Sequence, residues 1–455
     1  MTIAIAGASG FVGRALTLRL LESNHDVLAL HRSVKTAVAN ERAVLVDLGD
    51  EIATARALTD VDVAFYLVHS MAGGDEFQDL DLRLATTFGR AASQAQVSRI
   101  IYVGALGDAP SSAHLSSRHE VGDALRSSGV DVVELRAAVV FGAGSISFEM
   151  LRYLTERLPA MVCPRWVRTR IQPIALDDLL DYLEQSLSVK PDVYEVGGAD
   201  VTTYREMISE YARARGLHRR FIVDIPWLTP HLSSYWVDLV TPVDRLISHA
   251  LIESLVTEVV VVNGARTQRA FSITPMGVER ALMTALDEQE QDVAQSLFAR
   301  RRGQSDGVYT VVASLEVPAN LREAIQRDFG AIGGSLRWYG AAPGWALRLV
   351  LGRLVGERLR PRTCDALIPG ALVDWWRVAQ IDETQLVLRS EGWFPGDAWL
   401  GYRIHEGRLQ QVAAFRPRGV PGFIYWKLLG PLHHIVFDRM IRHRIRRAND
   451  IAASH

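Results

Sequence analysis

Cysteine is nearly missing from this chain of 455 residues: Cys163 and Cys364 are the two, far apart and without metal-like spacing. A disulfide framework and a thiolate zinc site are thereby excluded, and a reducing compartment fits. An excess of one charge is missing as well. Fifty Lys and Arg against 52 Asp and Glu leave a formal net charge of −2, so nothing global attracts the polyanionic backbone of a nucleic acid. The basic run Arg300-Arg301-Arg302-Gly303 reads as a solvated linker. Long apolar runs are lacking too. Ala250–Val262 and Trp345–Val355 are charged or too short for the roughly 18 residues that a membrane span needs. No basic segment precedes the first apolar stretch, so the N-terminus does not read as a signal peptide, and a cytoplasmic location is expected. His433 and His434 are adjacent on a helix and point in different directions, so no metal site follows. What remains is a globular composition, 48% hydrophobic and 22% charged, in a chain too long for one ordinary core.

The densest signal comes first. Thr2-Ile3-Ala4-Ile5-Ala6 reads as a buried strand, Gly7, Gly10 and Gly13 follow at spacings of three, and an amphipathic helix then begins. In a strand–turn–helix context Gly7 permits the tight turn, Gly10 lets the backbone approach a pyrophosphate, and Gly13 allows close packing of helix on sheet. Phosphates would rest on the N–H groups that open the helix. The cofactor-binding turn is therefore Gly7, Ser9, Gly10, Phe11, Val12 and Gly13. A second strand ends in His31, Arg32 and Ser33, where an NAD enzyme would carry a carboxylate for the ribose 2′-hydroxyl. A cation there pairs with a 2′-phosphate, so NADP is expected, with NAD the alternative. Further strands are expected at 43–48, 61–69, 99–106 and within 130–141, alternating with helices as a doubly wound parallel sheet demands. Ligands collect beyond the carboxyl ends of such strands, which draws attention to His69, Gly104 and Gly142.

The G-x-x-G-x-x-G spacing and these strands resemble the short-chain dehydrogenase/reductase superfamily, in its extended or atypical branch with the NmrA-like proteins, over about the first two-thirds of the chain. The resemblance implies an α/β Rossmann domain over residues 1–300, with a small substrate lobe around 193–258. It puts Asp47 and Leu48 at the adenine, and Val68, His69, Gly104 and Arg118 along the cofactor. It also implies a Ser-Tyr-Lys catalytic set, which this chain does not match: His114 stands for the Tyr, Arg118 for the Lys, and Gly104-Ala105 where the Ser would be. Arg118 can hold a ribose or phosphate but not act as an acid at neutral pH. His69 and His114 are the candidate proton carriers. Arg136–Gly142 resembles the turn that closes on the nicotinamide, with Ala137 and Phe141 replacing the family's Pro and Tyr. Gln172–Asp178 resembles the crossing segment, Asp177 and Asp178 being read as helix caps. The Pro- and aromatic-rich stretch 226–243 fits either a wall of an apolar cleft or plain packing.

Beyond residue 305 the pattern changes to strongly alternating strands at 385–392, 398–405 and 408–416, closed by an amphipathic helix from Pro421 to Arg446 that Gly430-Pro431 should kink. The order Trp393-Phe394-Pro395-Gly396-Asp397, Phe415-Arg416-Pro417, Tyr425-Trp426, His433-His434 resembles the domain of unknown function DUF2867. An α+β helix-grip architecture of the START/Bet v 1-like kind is expected over 305–455, with room for an apolar ligand. Two functions are open: an NADP(H)-dependent oxidoreductase acting on an apolar small molecule, or a non-catalytic NAD(P)-binding redox sensor or accessory protein. The expected partner is a small apolar ligand or substrate, and a protein partner or a second copy of the chain is left open.

Overall fold

The computed structural model describes all residues except 33–40, 70–76, 108–112, 226–255, 330–331, 334–366, 392–394 and 454–455. It divides into two units: Met1–Thr155 with Ala160–Asp287, and Glu156–Pro159 with Glu288–His455.

The first unit is built on seven strands: β1 (Thr2–Ala6), β2 (Asp26–His31), β3 (Arg42–Leu45), β4 (Val63–Tyr66), β5 (Arg99–Ala105), β6 (Asp131–Ala137) and β7 (Val193–Val196). They lie in the order β7-β6-β5-β4-β1-β2-β3, every neighbouring pair parallel. Helices follow the strands: α1 (Phe11–Glu22), α2 (Glu51–Ala57), α3 (Phe77–Gln94), α4 (Ala113–Arg126), α5 (Ile146–Arg157), α6 (Leu176–Gln185) and α7 (Tyr204–Ala214). The strands are nearly all apolar because both faces are covered. Ile3, Ile5, Val27, Ala29 and Phe65 meet Leu16 and Leu20 of α1 and Leu179 and Leu183 of α6. Ala4, Ala6, Leu28, Leu30 and Tyr66 meet Ala85, Phe88 and Ala92 of α3 and Val121 and Leu125 of α4. Each Leu or Ile so buried stabilises the fold by about 1.5–3 kcal/mol relative to exposure.

Two expectations are corrected. Val193–Val196 is not part of a substrate lobe but the edge strand of the main sheet, paired with Glu134–Ala137; its buried Tyr194 and Val196 belong to the main core. Asp177 and Asp178 do not cap α6, whose N-cap is Ala175 without a side-chain bond. Asp178 instead accepts from Met276 N at 2.8 Å, and Asp177 and Asp181 lie 3.7 and 2.7 Å from Arg19 of α1. Thr203 does cap α7, in a capping box with Glu206.

Short strand pairs extend the unit past the sheet: Val140–Phe141 with Ile174–Ala175, Arg170–Ile171 with Thr202–Thr203, and Ala160–Cys163 with Phe221–Asp224. Ile225 N–H donates to Cys163 O at 2.8 Å. Val259 donates to Arg170 O (3.1 Å) and accepts from Gln172 N (2.9 Å). The Gln172 side chain donates to Gly198 O at 2.7 Å and accepts from Val261 N at 3.0 Å.

Helix α8 (Val278–Gln295) carries the chain across the division at Asp287–Glu288. The second unit is an antiparallel sheet of β8 (Gly303–Ser305), β9 (Val308–Glu316), β10 (Leu372–Val373), β11 (Trp376–Ile381), β12 (Gln385–Ser390), β13 (Gly396–His405) and β14 (Arg408–Pro417), in the order β8-β9-β14-β13-β12-β11-β10. Its alternation sorts two faces. Leu409, Ala413, Leu400 and Leu388 meet α9 (Arg322–Phe329) and Met440, Ile441 and Ala448 of α10 (Gly419–Ala453). Val412, Ala414, Val387 and Trp399 meet Val293, Leu297 and Phe298. A long helix gripped by one sheet face is the expected architecture. The helix exceeds the expected Pro421–Arg446 at both ends, running from Gly419 through Gly430-Pro431 to Ala453 and forgoing the one bond proline cannot donate.

Candidate cofactor and active site

In a sheet of this order the crossovers diverge between β1 and β4, and a crevice opens beyond the carboxyl ends of those strands. Ala6 pairs with Tyr66 in the register, so Gly7 faces Leu67. Gly7 has φ +89°, and a Cβ on it would lie 2.8 Å from the Leu67 carbonyl; both demand glycine. Gly13 sits so close under the turn that an added Cβ would overlap Gly7 O and lie 2.9 Å from Ala8 Cα. Gly10 is different. It is exposed, with extended backbone, and a Cβ there would meet only Gly7 O at 3.2 Å. Gly10 is also the N-cap of α1 and offers no side chain to the helix, so the first N–H groups, those of Phe11, Val12 and Gly13, are left to a ligand. Ser9 is exposed beside them, Val12 packs on the core, and the Phe11 ring lies where a Cβ on Gly142 would be 2.9 Å away. An exposed, positively polarised cradle that has no side chain at Gly10 fits a dinucleotide pyrophosphate.

Arg32, just past β2, is exposed. Beside it His31 is buried and its Nε2 lies 2.8 Å from Glu41 Oε1, itself buried. Sequence reading missed that carboxylate, which reaches the end of β2 from ten residues away. Asp47 is exposed and accepts from Gly49 N at 2.9 Å, shaping the turn before α2; Leu48 and Val68 are half-buried against the core.

His69 lies three residues past β4, and its Nδ1 is 2.9 Å from Oδ2 of Asp81, a fully buried aspartate on α3. Burial lowers the His69 pKa; the Asp81 hydrogen bond opposes that, and Arg118 adds to it. A neutral ring that donates Nδ1–H to Asp81 carries its lone pair on Nε2, the arrangement of a base with its orienting carboxylate. Asp81 had a legible signal: it falls on the stripe Asp81, Ala85, Phe88, Ala92, which α3 buries.

Arg118 does not extend toward solvent. It is buried on α4, donates Nη2 to Val103 O, and lies 4.9 Å over the Tyr102 ring, while Tyr102 OH donates to Arg118 O at 2.9 Å. Its Nη1 is buried without a hydrogen-bond acceptor among the described residues. Its neighbour His119 brings Nε2 to 3.1 Å from Ala105 O, at the carboxyl end of β5, a placement the sequence reading did not anticipate. Gly104 faces the protein interior: a Cβ on it would lie 2.8 Å from the buried Glu134 carboxylate, which Arg126 and Arg136 neutralise. His114 is the second residue of α4, and its side chain is outside the described residues. So are Ser33 and the aromatic stretch 226–243. The structure thus gathers the glycine turn, Val68 and His69 at the β1–β4 crevice, and turns Gly104 and Arg118 to interior partners. Among the described residues no group of three His, Cys, Asp or Glu could hold a metal ion, and no helix is long and apolar enough to cross a membrane.

Residues 7–141 match a family described as NAD(P)H-binding, and residues 305–440 match the family "Protein of unknown function (DUF2867)". A dTDP-6-deoxy-L-talose 4-dehydrogenase (NAD(P)(+)) of Kitasatospora kifunensis is 24% identical over 261 residues, 49% of this chain and 82% of that protein. An uncharacterized protein of Mycobacterium tuberculosis is 26% identical over 171 residues, 37% of this chain; the match spans only 18% of that relative's length. The solved structure of a nucleoside-diphosphate-sugar epimerase from Staphylococcus aureus superposes with a TM-score of 0.50 at 15% identity, covering 62% of this chain and all of that one (100%), which speaks to fold alone.

Proposed function

We propose that this chain, which carries an NAD(P)H-binding Rossmann domain of the short-chain dehydrogenase/reductase type at its N-terminus and a DUF2867 domain at its C-terminus, is an NADP(H)-dependent oxidoreductase acting on an apolar small molecule. The observation that carries the reading is the His69–Asp81 pair, 2.9 Å apart at the crevice that the glycine turn also lines. A bound nicotinamide supplies or accepts hydride. Gly10 and the opening N–H groups of α1 hold the pyrophosphate, and exposed Arg32 meets the 2′-phosphate. His69, kept neutral at pH 7 by burial, takes the hydroxyl proton in the oxidative direction and returns it in reduction, while Asp81 fixes its tautomer. General acid–base help of this kind contributes roughly 10²–10⁴-fold.

The likeness to a dTDP-sugar dehydrogenase makes nucleotide sugars the first competitors to an apolar substrate. A second reading, a nucleotide-holding sensor without turnover, draws support from Arg118. The residue in the position of the family's lysine is engaged with Val103 O inside the protein, not held out to a ribose. The test is a screen of NADPH oxidation against carbonyl compounds and nucleotide-sugar ketones, with His69→Ala beside the parent. Turnover that collapses about 10²-fold or more in His69→Ala, at unchanged NADPH affinity, supports the enzyme. NADPH binding without turnover on any substrate favours the sensor.

A further inference from the structure

The outer face of α10 carries one unbroken helical stripe whose chemistry changes halfway. Val420, Ile424, Leu428, Leu432 and Ile435 follow at spacings of four, four, four and three, and are 41, 53, 73, 51 and 54% exposed. Continuing the same stripe by steps of four, three and four come Arg439, Arg442 and Arg446, all exposed. Residues so spaced line one side of a helix. The inward side is spent on the sheet, through Met440, Ile441 and Ala448 and through Trp426 stacked at 5.5 Å on Phe415. Soluble surfaces tolerate scattered apolar residues, but an aligned row on one helix marks a docking face.

We propose that this stripe lies on an anionic lipid surface, its aliphatic half in the acyl boundary and its arginine half among the headgroup phosphates. Two observations favour lipid over a protein partner. The row is purely aliphatic. The aromatic anchors that dominate protein hot spots, here Tyr425 and Trp426, turn toward Phe415 of the sheet. The charge is complementary to phosphate: Asp438 pairs with Arg442 at 2.8 Å, but Arg439, Arg446 and Lys427 have no carboxylate partner among the described residues. Helices that combine apolar and cationic surface bind anionic interfaces without spanning them; because the two follow one another along this stripe, the Val420–Ile435 half enters deeper than the Arg439–Arg446 half, and each cation near an anionic surface adds several-fold to partitioning.

Vesicle co-sedimentation of the full chain tests this without reference to the nucleotide site. The protein should partition at least tenfold more strongly onto vesicles of phosphatidylcholine with phosphatidylglycerol than onto phosphatidylcholine alone. Arg439→Glu with Arg446→Glu should reduce partitioning to the neutral-vesicle level, and Leu428→Asp with Leu432→Asp should abolish it. Circular dichroism of these surface variants should match the parent. Equal partitioning onto both vesicles, or none, overturns the proposal. So does a lipid-free dimer in sedimentation velocity that Leu428→Asp with Leu432→Asp dissolves, which assigns the face to a second copy of the chain.

Discussion

Gly10 and Gly13 are three residues apart in one turn, yet substituting them should do opposite things. At Gly10 the backbone is extended (φ −74°, ψ 170°), comfortable for a branched residue, and a Cβ meets one atom at 3.2 Å. The fold should therefore lose only about 1 kcal/mol in Gly10→Val, the cost of a poor N-cap. Nucleotide affinity should fall by a factor of about 100 or more, because the new methyl groups occupy the face a pyrophosphate must approach. Gly13→Ala reverses the balance. Its Cβ would overlap Gly7 O and crowd Ala8 Cα, all backbone atoms of the cradle. Overpacking against rigid backbone costs about 3 kcal/mol or more, and the gain of about 1 kcal/mol in helix propensity on replacing glycine offsets a third of it. A net loss near 2 kcal/mol should appear in urea unfolding. The two assays are tryptophan fluorescence titration with NADPH and the unfolding midpoint. Wild-type NADPH affinity in Gly10→Val would refute the cradle as the phosphate site, and an undiminished midpoint in Gly13→Ala would refute the close approach.

Other outcomes follow from the same geometry. Arg32→Asp should reverse a preference for NADPH over NADH of at least about tenfold, or about 1.4 kcal/mol; equal affinities in the parent would refute the 2′-phosphate role. Glu134→Gln keeps the shape of a fully buried side chain but removes its ion pairs with Arg126 and Arg136, and should cost about 3 kcal/mol in denaturant unfolding. His433 has its pKa pushed down to about 4 by burial and by the charge of His434. The unfolded chain then binds a proton below pH 6.5 that the folded one refuses, so stability should drop between pH 6.5 and 4, by at most about 3 kcal/mol. His433→Gln should flatten that slope in thermal melts.

The elements most legible in the sequence are those written by local rules. The β1–glycine–α1 unit, the apolar strands β4 to β6 and the alternating β12, β13 and β14 lie where period and turn chemistry put them, within a few residues. What escaped is what depends on chain segments meeting. Val193–Val196 reads as a short strand in any context, and only Glu134–Ala137 makes it an edge of the main sheet. The His31–Glu41 and His69–Asp81 pairs join residues ten and twelve apart across intervening chain, a relation no periodicity encodes. The place of Arg118 in a motif points to a cofactor contact, whereas its position on the stripe with Val121 and Leu125, which α4 buries, carries the guanidinium inward. The carboxylate of Glu134 leaves no trace in the sequence around Gly104, yet it explains that glycine.

The bonds at Val259 have a consequence for how such a protein can change over generations. They run between main-chain groups, from Val259 N to Arg170 O and from Gln172 N to Val259 O, and a main-chain bond survives any side-chain exchange except proline at its donor. As far as these bonds go, Arg170 and Val259 can drift in every generation so long as Val259 does not become proline. Gln172 is not so free, because its side-chain amide joins Gly198 to Val261. The heritable constraint at this junction falls on one amide rather than on the residues around it.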